Sequence, residues 1–247
     1  MKKVKWAILG AARVNEKIIP AITGSSQGEL VAVGSRRENS AKEIVQKFAP
    51  NQGEKIECYK GFDAILKNKE IDAIYIPLSN EEHTETALKA INNKKHVLIE
   101  KPMAIKSNEV HLLTEAAKKN NVKIMEGFMY VFHPQFDRIQ NIINSGILGD
   151  VNYAHSMFSF PIQATRFYRI NRSIANGGGA LWDIGPYAIH TIRSCFKENP
   201  KRVYAQSKLN EHGADISTTG MIDFGIDKKA TFDISFECIR RSEFEIF

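Results

Sequence analysis

The sequence predicts an α/β protein of two domains, a parallel sheet of the nucleotide-binding kind followed by a second domain on an antiparallel or mixed sheet. Three observations carry this. The first half alternates short, continuously apolar runs with helical stretches of about ten residues, the pattern of a parallel sheet buried on both faces. The chain opens with a strand, a glycine turn and a helix. After about residue 128 the pattern changes to consecutive strand candidates joined by turn signals such as Gly225-Ile226-Asp227.

In the first half, strands are expected at 4–9, 30–34, 57–59, 72–77, 96–99 and 122–126, and helices at 14–22, 40–48, 62–67, 82–92 and 107–119, the last with Ser107 as its N-cap. Crossovers between the parallel strands should be right-handed. Beyond the boundary near residue 127, a helix at 134–144 should stop at Ser145-Gly146. A strand at 151–160, a polar loop at 161–176 and the run Gly177-Gly178-Gly179 follow. A helix at 183–196 then leads to strands at 202–209, 218–224 and 230–236. The domains are therefore expected at 1–127 and 128–247. The terminal Phe244-Glu245-Ile246-Phe247 reads as the start of a strand, so the second sheet is expected to be incomplete at its C-terminal end.

Composition narrows the function classes. An apolar fraction of 43% over 247 residues is enough for a proper core. No run approaches the roughly 18–20 apolar residues of a membrane-spanning helix. The net charge of +6 comes from scattered lysines without an interleaved aromatic stripe, so neither a nucleic-acid nor a membrane partner is expected. Cys58, Cys195 and Cys238 form no C-x-x-C pair, which fits a reducing, cytoplasmic setting. The seven histidines make no H-E-x-x-H pattern, and no metal site is expected.

Five motifs carry chemistry. In Gly10-Ala11-Ala12-Arg13-Val14-Asn15, Gly10 permits a tight turn and Ala12 a close backbone approach, while the following helix would aim its N-terminus at a pyrophosphate. The usual G-x-G-x-x-G pattern has Ala12 and Asn15 at its later glycine positions, and an ordinary strand-to-helix turn fits these residues as well. At the end of the second strand, Ser35-Arg36-Arg37 stands where an NAD enzyme carries an acid. A hydroxyl with two guanidiniums favours the 2′-phosphate of NADP(H), with NAD(H) still possible. Pro77, Leu78 and Asn80 follow a strand end, and His83 either faces the site or sits in the first helical turn. Glu100-Lys101-Pro102 ends the strand at 96–99, at the sheet edge where ligands bind. On spacing alone, Asp183, Tyr187 and His190 could share one helical face, with Pro186 in the first turn.

Together these residues resemble the glucose–fructose oxidoreductase / inositol dehydrogenase / rhizopine-catabolism (Gfo/Idh/MocA) family. The anchors include Gly10, Ile76-Pro77 with Asn80 and His83, Glu100-Lys101-Pro102, Glu126-Gly127-Phe128-Met129-Tyr130, and 177–185. The resemblance implies an N-terminal Rossmann domain and a C-terminal α+β domain on a large, open, mostly antiparallel sheet used for homo-oligomer contacts. It implies NAD(P)-dependent redox of a carbohydrate or related cyclic alcohol, with Lys101 as the catalytic lysine. Tyr187 at its position resembles glucose–fructose oxidoreductase, the NADP-dependent xylose dehydrogenases and dimeric dihydrodiol dehydrogenase. Tyr187 would then exchange the substrate proton, its pKa brought down from about 10 by the Lys101 ammonium, while Asp183 and Arg169 hold neighbouring hydroxyls. Val131 stands where many members carry Arg. The family also includes a repressor that binds the dinucleotide without turnover, so a non-catalytic sensor is the alternative reading.

Overall fold

The computed structural model describes residues 2–247, which divide into two compact units, 2–127 and Phe128–Phe247. The first unit is a six-stranded parallel sheet of β1 (Val4–Leu9), β2 (Gly28–Ser35), β3 (Glu57–Lys60), β4 (Ala73–Ile76), β5 (His96–Ile99) and β6 (Ile124–Glu126). Its order is β3-β2-β1-β4-β5-β6, the Rossmann arrangement, whose order reverses between β1 and β4. Both faces are covered: one core joins Leu9, Ile74, Ile76, Ile99 and Leu113, the other Ile8, Ile19, Val33, Val45 and Tyr75. Residues 8 and 9 sit in opposite cores, as do residues 74 and 75, because successive strand side chains alternate faces.

Five helices supply the cover: α1 (Asn15–Thr23), α2 (Ser40–Phe48), α3 (Asp63–Lys67), α4 (His83–Asn92) and α5 (Ser107–Asn120). At α5 the expectation needs correcting. Lys106, extended at φ −138° and ψ 141°, is the N-cap, and Ser107 is already the first helical residue.

The second unit stacks helices on a five-stranded sheet. Its elements are α6 (Pro134–Asn144), β7 (Tyr153–Ser159), α7 (Ala180–Asp183), α8 (Gly185–Phe196), β8 (Arg202–Leu209), β9 (Asp215–Gly225), β10 (Lys228–Ser235) and β11 (Arg241–Ile246). The sheet order is β11-β7-β10-β9-β8. It is mixed: β7 and β10 are parallel, and the other three pairings are antiparallel. The core lies on the face toward α8, where Ala188, Ile192 and Phe196 meet Ile222, Phe224, Phe232 and Ile234. Ile226 and Asp227 form the β9–β10 hairpin, with Gly225 at φ +117° and Asp227 at +59°.

The single helix expected over 183–196 is two. Asp183 ends α7, Ile184 breaks the ladder at φ −117°, and α8 starts at Gly185. Pro186 gives the reason: it has no N–H to donate and fits best in a first turn, so a new helix begins beneath it. Asp183 therefore does not share a helical face with Tyr187 and His190. Among the described residues no helix is long and apolar enough to cross a membrane.

Candidate active site

The carboxyl edge of the first sheet holds a cleft of ≈ 230 Å³. Gly10, Ala11, Ala12, Ser35, Arg36, Arg37, Pro77 and Leu78 line it, and Phe62, Ser79 and Glu82 join them. It sits where β1 and β4 part, the switch point at which such sheets bind ligands. Gly10 adopts φ +132°, and a Cβ there would come within 2.9 Å of Leu78 Cδ2. The bare glycine thus lets Leu78 pack against the turn, where any side chain would collide with it. Its N–H donates to Gly34 O at 2.9 Å, tying the ends of β1 and β2 together.

Asn15 explains how the turn manages without a third glycine. It is fully buried, and its Nδ2 donates to Gly10 O at 2.8 Å, clamping the turn to the first residue of α1. The N–H groups of Asn15, Glu16 and Lys17 already donate to the carbonyls of Ala12, Arg13 and Val14. Among the turn's amides, those of 11–14 are therefore the ones that could meet an anion. Val14 packs against the core, and Arg13 is exposed and lies outside the cleft lining.

The β2 end sorts its basic residues. Ser35 is buried, and its Oγ accepts from Arg37 N at 3.2 Å. Arg37 Nη2 donates to Ala11 O at 3.2 Å, crossing to the β1 turn. Arg36 lies with Cζ 5.9 Å from the centre of the Phe62 ring and pairs with the carboxylate of Glu82. Burial pushes the Glu82 carboxyl up, but the Ser79 hydroxyl and the Arg36 guanidinium outweigh it, and its pKa falls below the usual range. Sequence reasoning missed Phe62, Ser79 and Glu82.

His83, expected among the cofactor contacts, is instead a strut with no exposed surface. Its Nδ1 lies 2.7 Å from Pro102 O and its Nε2 3.1 Å from Leu78 O. Burial is the largest influence on the ring and lowers its pKa against the pull of both carbonyls. One imidazole thus connects the cleft-lining Leu78 to the segment carrying Lys101. Lys101 itself is half-buried just past β5, joined to Pro102 by a cis peptide. Its neighbour Glu100 accepts from Tyr75 Oη at 2.6 Å. Glu126 accepts from Met103 N at 2.8 Å, and burial raises its pKa. Asn80 begins the 3₁₀ turn Asn80–Glu82, outside the cleft lining.

In the second unit, Tyr187 sits in an aromatic nest. Phe128 meets its ring edge-on at 5.8 Å, as does Phe158, and Tyr187 Oη reaches Met129 Sδ at 3.9 Å. Phe128 stacks on His190 at 4.6 Å, and Tyr130 Oη lies 2.5 Å from His190 Nδ1 and 3.0 Å from Thr191 Oγ1. Burial, with Arg193 as a lesser cause, lowers the His190 pKa. The buried carboxylate of Asp183 pairs with Arg169, which the turn Ala164–Arg169 delivers from the polar loop. Asp215, fully buried and unflagged by the sequence, accepts from Leu181 N and Thr218 Oγ1, both at 2.8 Å, and so fixes the start of α7. The structure brings Asp183 and Arg169 together but sets Tyr187 among apolar rings.

Residues 4–128 match the oxidoreductase family with an NAD-binding Rossmann fold, and 136–247 match the GFO/IDH/MocA C-terminal domain. An uncharacterized oxidoreductase of Rhizobium meliloti is 34% identical over all of this chain and 72% of its own length. An NADP⁺ D-xylose 1-dehydrogenase of Haloferax volcanii is 32% identical over 94% of this chain and 69% of its own. Trans-1,2-dihydrobenzene-1,2-diol dehydrogenase of Xenopus laevis is 30% identical over 92% of this chain and 67% of its own. In fold, a 3-ketoreductase of Actinomadura kijaniata solved with NADP and TDP-benzene superposes with a TM-score of 0.87, at 24% identity, over 99% of this chain and 74% of its own. With both halves of the chain matched, and with the glycine turn and basic strand end assembled around one cleft, the chain belongs to the GFO/IDH/MocA family of oxidoreductases.

Proposed function

We propose that this oxidoreductase moves a hydride between NADP(H) and a carbohydrate or related cyclic alcohol or ketone, with Lys101 and Tyr187 as its acid–base pair. Residues 1–127 serve as the dinucleotide-binding domain and 128–247 as the substrate-binding and oligomerisation domain. The observation that carries the reading is the switch-point cleft, with Gly10 at its floor and Ser35, Arg36 and Arg37 along its lining. Relatives named for NADP⁺-linked xylose oxidation and for dihydrodiol oxidation support the substrate class.

When bound, the dinucleotide supplies or accepts the hydride. The amides of 11–14 face its pyrophosphate, and Ser35, Arg36 and Arg37 its adenosine 2′-phosphate. Lys101 donates a hydrogen bond to the reacting oxygen and stabilises negative charge there. Tyr187 takes or returns the proton of that oxygen. Asp183 accepts from a neighbouring hydroxyl, and Arg169 donates to one. The chain assembles through its second sheet and works in a cytoplasmic setting, where the free thiols Cys58, Cys195 and Cys238 stay reduced.

Two measurements test this. Nicotinamide fluorescence should report tighter NADPH than NADH binding; equal binding reopens NAD chemistry. Across a panel of sugars and cyclic diols with NADP⁺, Lys101→Ala should lose about 10²-fold or more in turnover while retaining cofactor. Near-normal turnover sinks the assignment of Lys101, and binding without turnover on any substrate favours the sensor alternative.

A further inference from the structure

We infer that Glu82 is a specificity-determining residue: its carboxylate occupies the Arg36 guanidinium and narrows the preference of the cleft for NADP(H) over NAD(H). The inference rests on the dinucleotide reading of the cleft proposed above. Three observations support it. Arg36 and Glu82 both line the cleft and form an ion pair across it, from the end of β2 to the turn after β4. The Glu82 side chain is held: Ser79 Oγ donates to its Oε2, inside the turn Asn80–Glu82. Arg37 is engaged differently, through the neutral carbonyl of Ala11.

The consequences differ for the two cofactors. A 2′-phosphate needs the guanidinium fork for bidentate pairing. To provide it, Arg36 must turn from Glu82, leaving a fixed carboxylate beside the incoming dianion. A ribose carrying a free 2′-hydroxyl makes no such demand. Arg36 stays paired, and Glu82 offers the acceptor that an acid at the end of β2 gives in NAD enzymes. One carboxylate thus weakens the phosphate cofactor and accommodates the hydroxyl one.

The test is calorimetric titration with 2′,5′-ADP and 5′-AMP, which separates the adenosine end from any chemistry. Glu82→Gln keeps the size and the hydrogen-bonding capacity toward Ser79 and removes the charge. It should tighten 2′,5′-ADP about three- to tenfold and leave 5′-AMP within about twofold. Ser79→Ala, which only frees the carboxylate to turn away, should shift 2′,5′-ADP in the same direction by less. An unchanged ratio in Glu82→Gln overturns the inference while leaving the dinucleotide reading standing. Folded protein that binds neither ligand, wild type or variant, overturns both.

Discussion

Replacing His83 tests whether the cleft and the Lys101 segment are joined as described. The imidazole is fully buried between Pro102 O at 2.7 Å and Leu78 O at 3.1 Å. Taking the shorter contact as the donated one, His83→Ala removes a hydrogen bond with a net value of about 1 kcal/mol and strands a buried carbonyl at roughly 1–3 kcal/mol. A cavity the size of the ring adds about 1–2 kcal/mol. The sum is about 3–6 kcal/mol of the first unit's stability. His83→Leu refills most of the space and should cost about 2–3 kcal/mol, which separates the polar part from the cavity. The chain has two tryptophans, Trp6 in β1 and Trp182 in α7. In a Trp182→Phe background, urea unfolding followed by Trp6 fluorescence reports the first unit alone. Losses under about 1 kcal/mol for the alanine variant would refute the strut.

Three further outcomes follow from the same geometry. His83 is held neutral by burial, its folded pKa below the unfolded value of about 6.5, so the unfolded chain binds more protons in that window. Stability from His83 is therefore complete above about pH 6.5 and declines as pH falls toward the folded pKa; His83→Leu should flatten that part of the Trp6 curve, and an unchanged slope would count against it. Gly34→Ala places a Cβ 2.6 Å from Gly61 O and 2.8 Å from Ile65 Cδ1, and should lower stability by about 2–3 kcal/mol in the same unfolding assay. Asp215→Ala strips acceptors from Leu181 N and Thr218 Oγ1 and should cost about 2–3 kcal/mol by Trp182 fluorescence, whereas Asp215→Asn should cost less, because burial already disfavours the charge.

The sequence carries most of the fold where periodicity and punctuation agree. The edges of β1, β5, β8, α2 and α6 fall where apolar runs and stop signals put them. It misleads where a local rule has two solutions. Asp183 to His190 has helical spacing, yet Pro186 divides it into two helices, because a proline ends one ladder as readily as it starts the next. The mixed character of the second sheet was readable, but the parallel pairing of β7 with β10 was not, since long-range partners leave no local mark. In the cleft, Gly10, Ser35, Arg36 and Arg37 are residues the sequence singled out, and they line one opening. Glu82 was not: its meaning depends on the ends of β2 and β4 facing each other on either side of β1, a fact of topology rather than spacing. His83 was legible as important, with a site face or the first helical turn both open; it heads α4 and is buried against the distant carbonyl of Pro102.

The placement of β7 has a kinetic consequence. Tyr153 pairs with Lys229, and Ala154 with Ile246, so both neighbours of this strand are made long after it. The first unit closes mostly by crossovers to the next strand, with β1–β4 its one distant pairing, whereas the second must bring its earliest strand to its two latest. Loop closure over such separations slows folding. During synthesis the first unit can be finished while β7 still presents two unpaired edges, which makes that strand the point at which a nascent chain is most open to mispairing or to a chaperone.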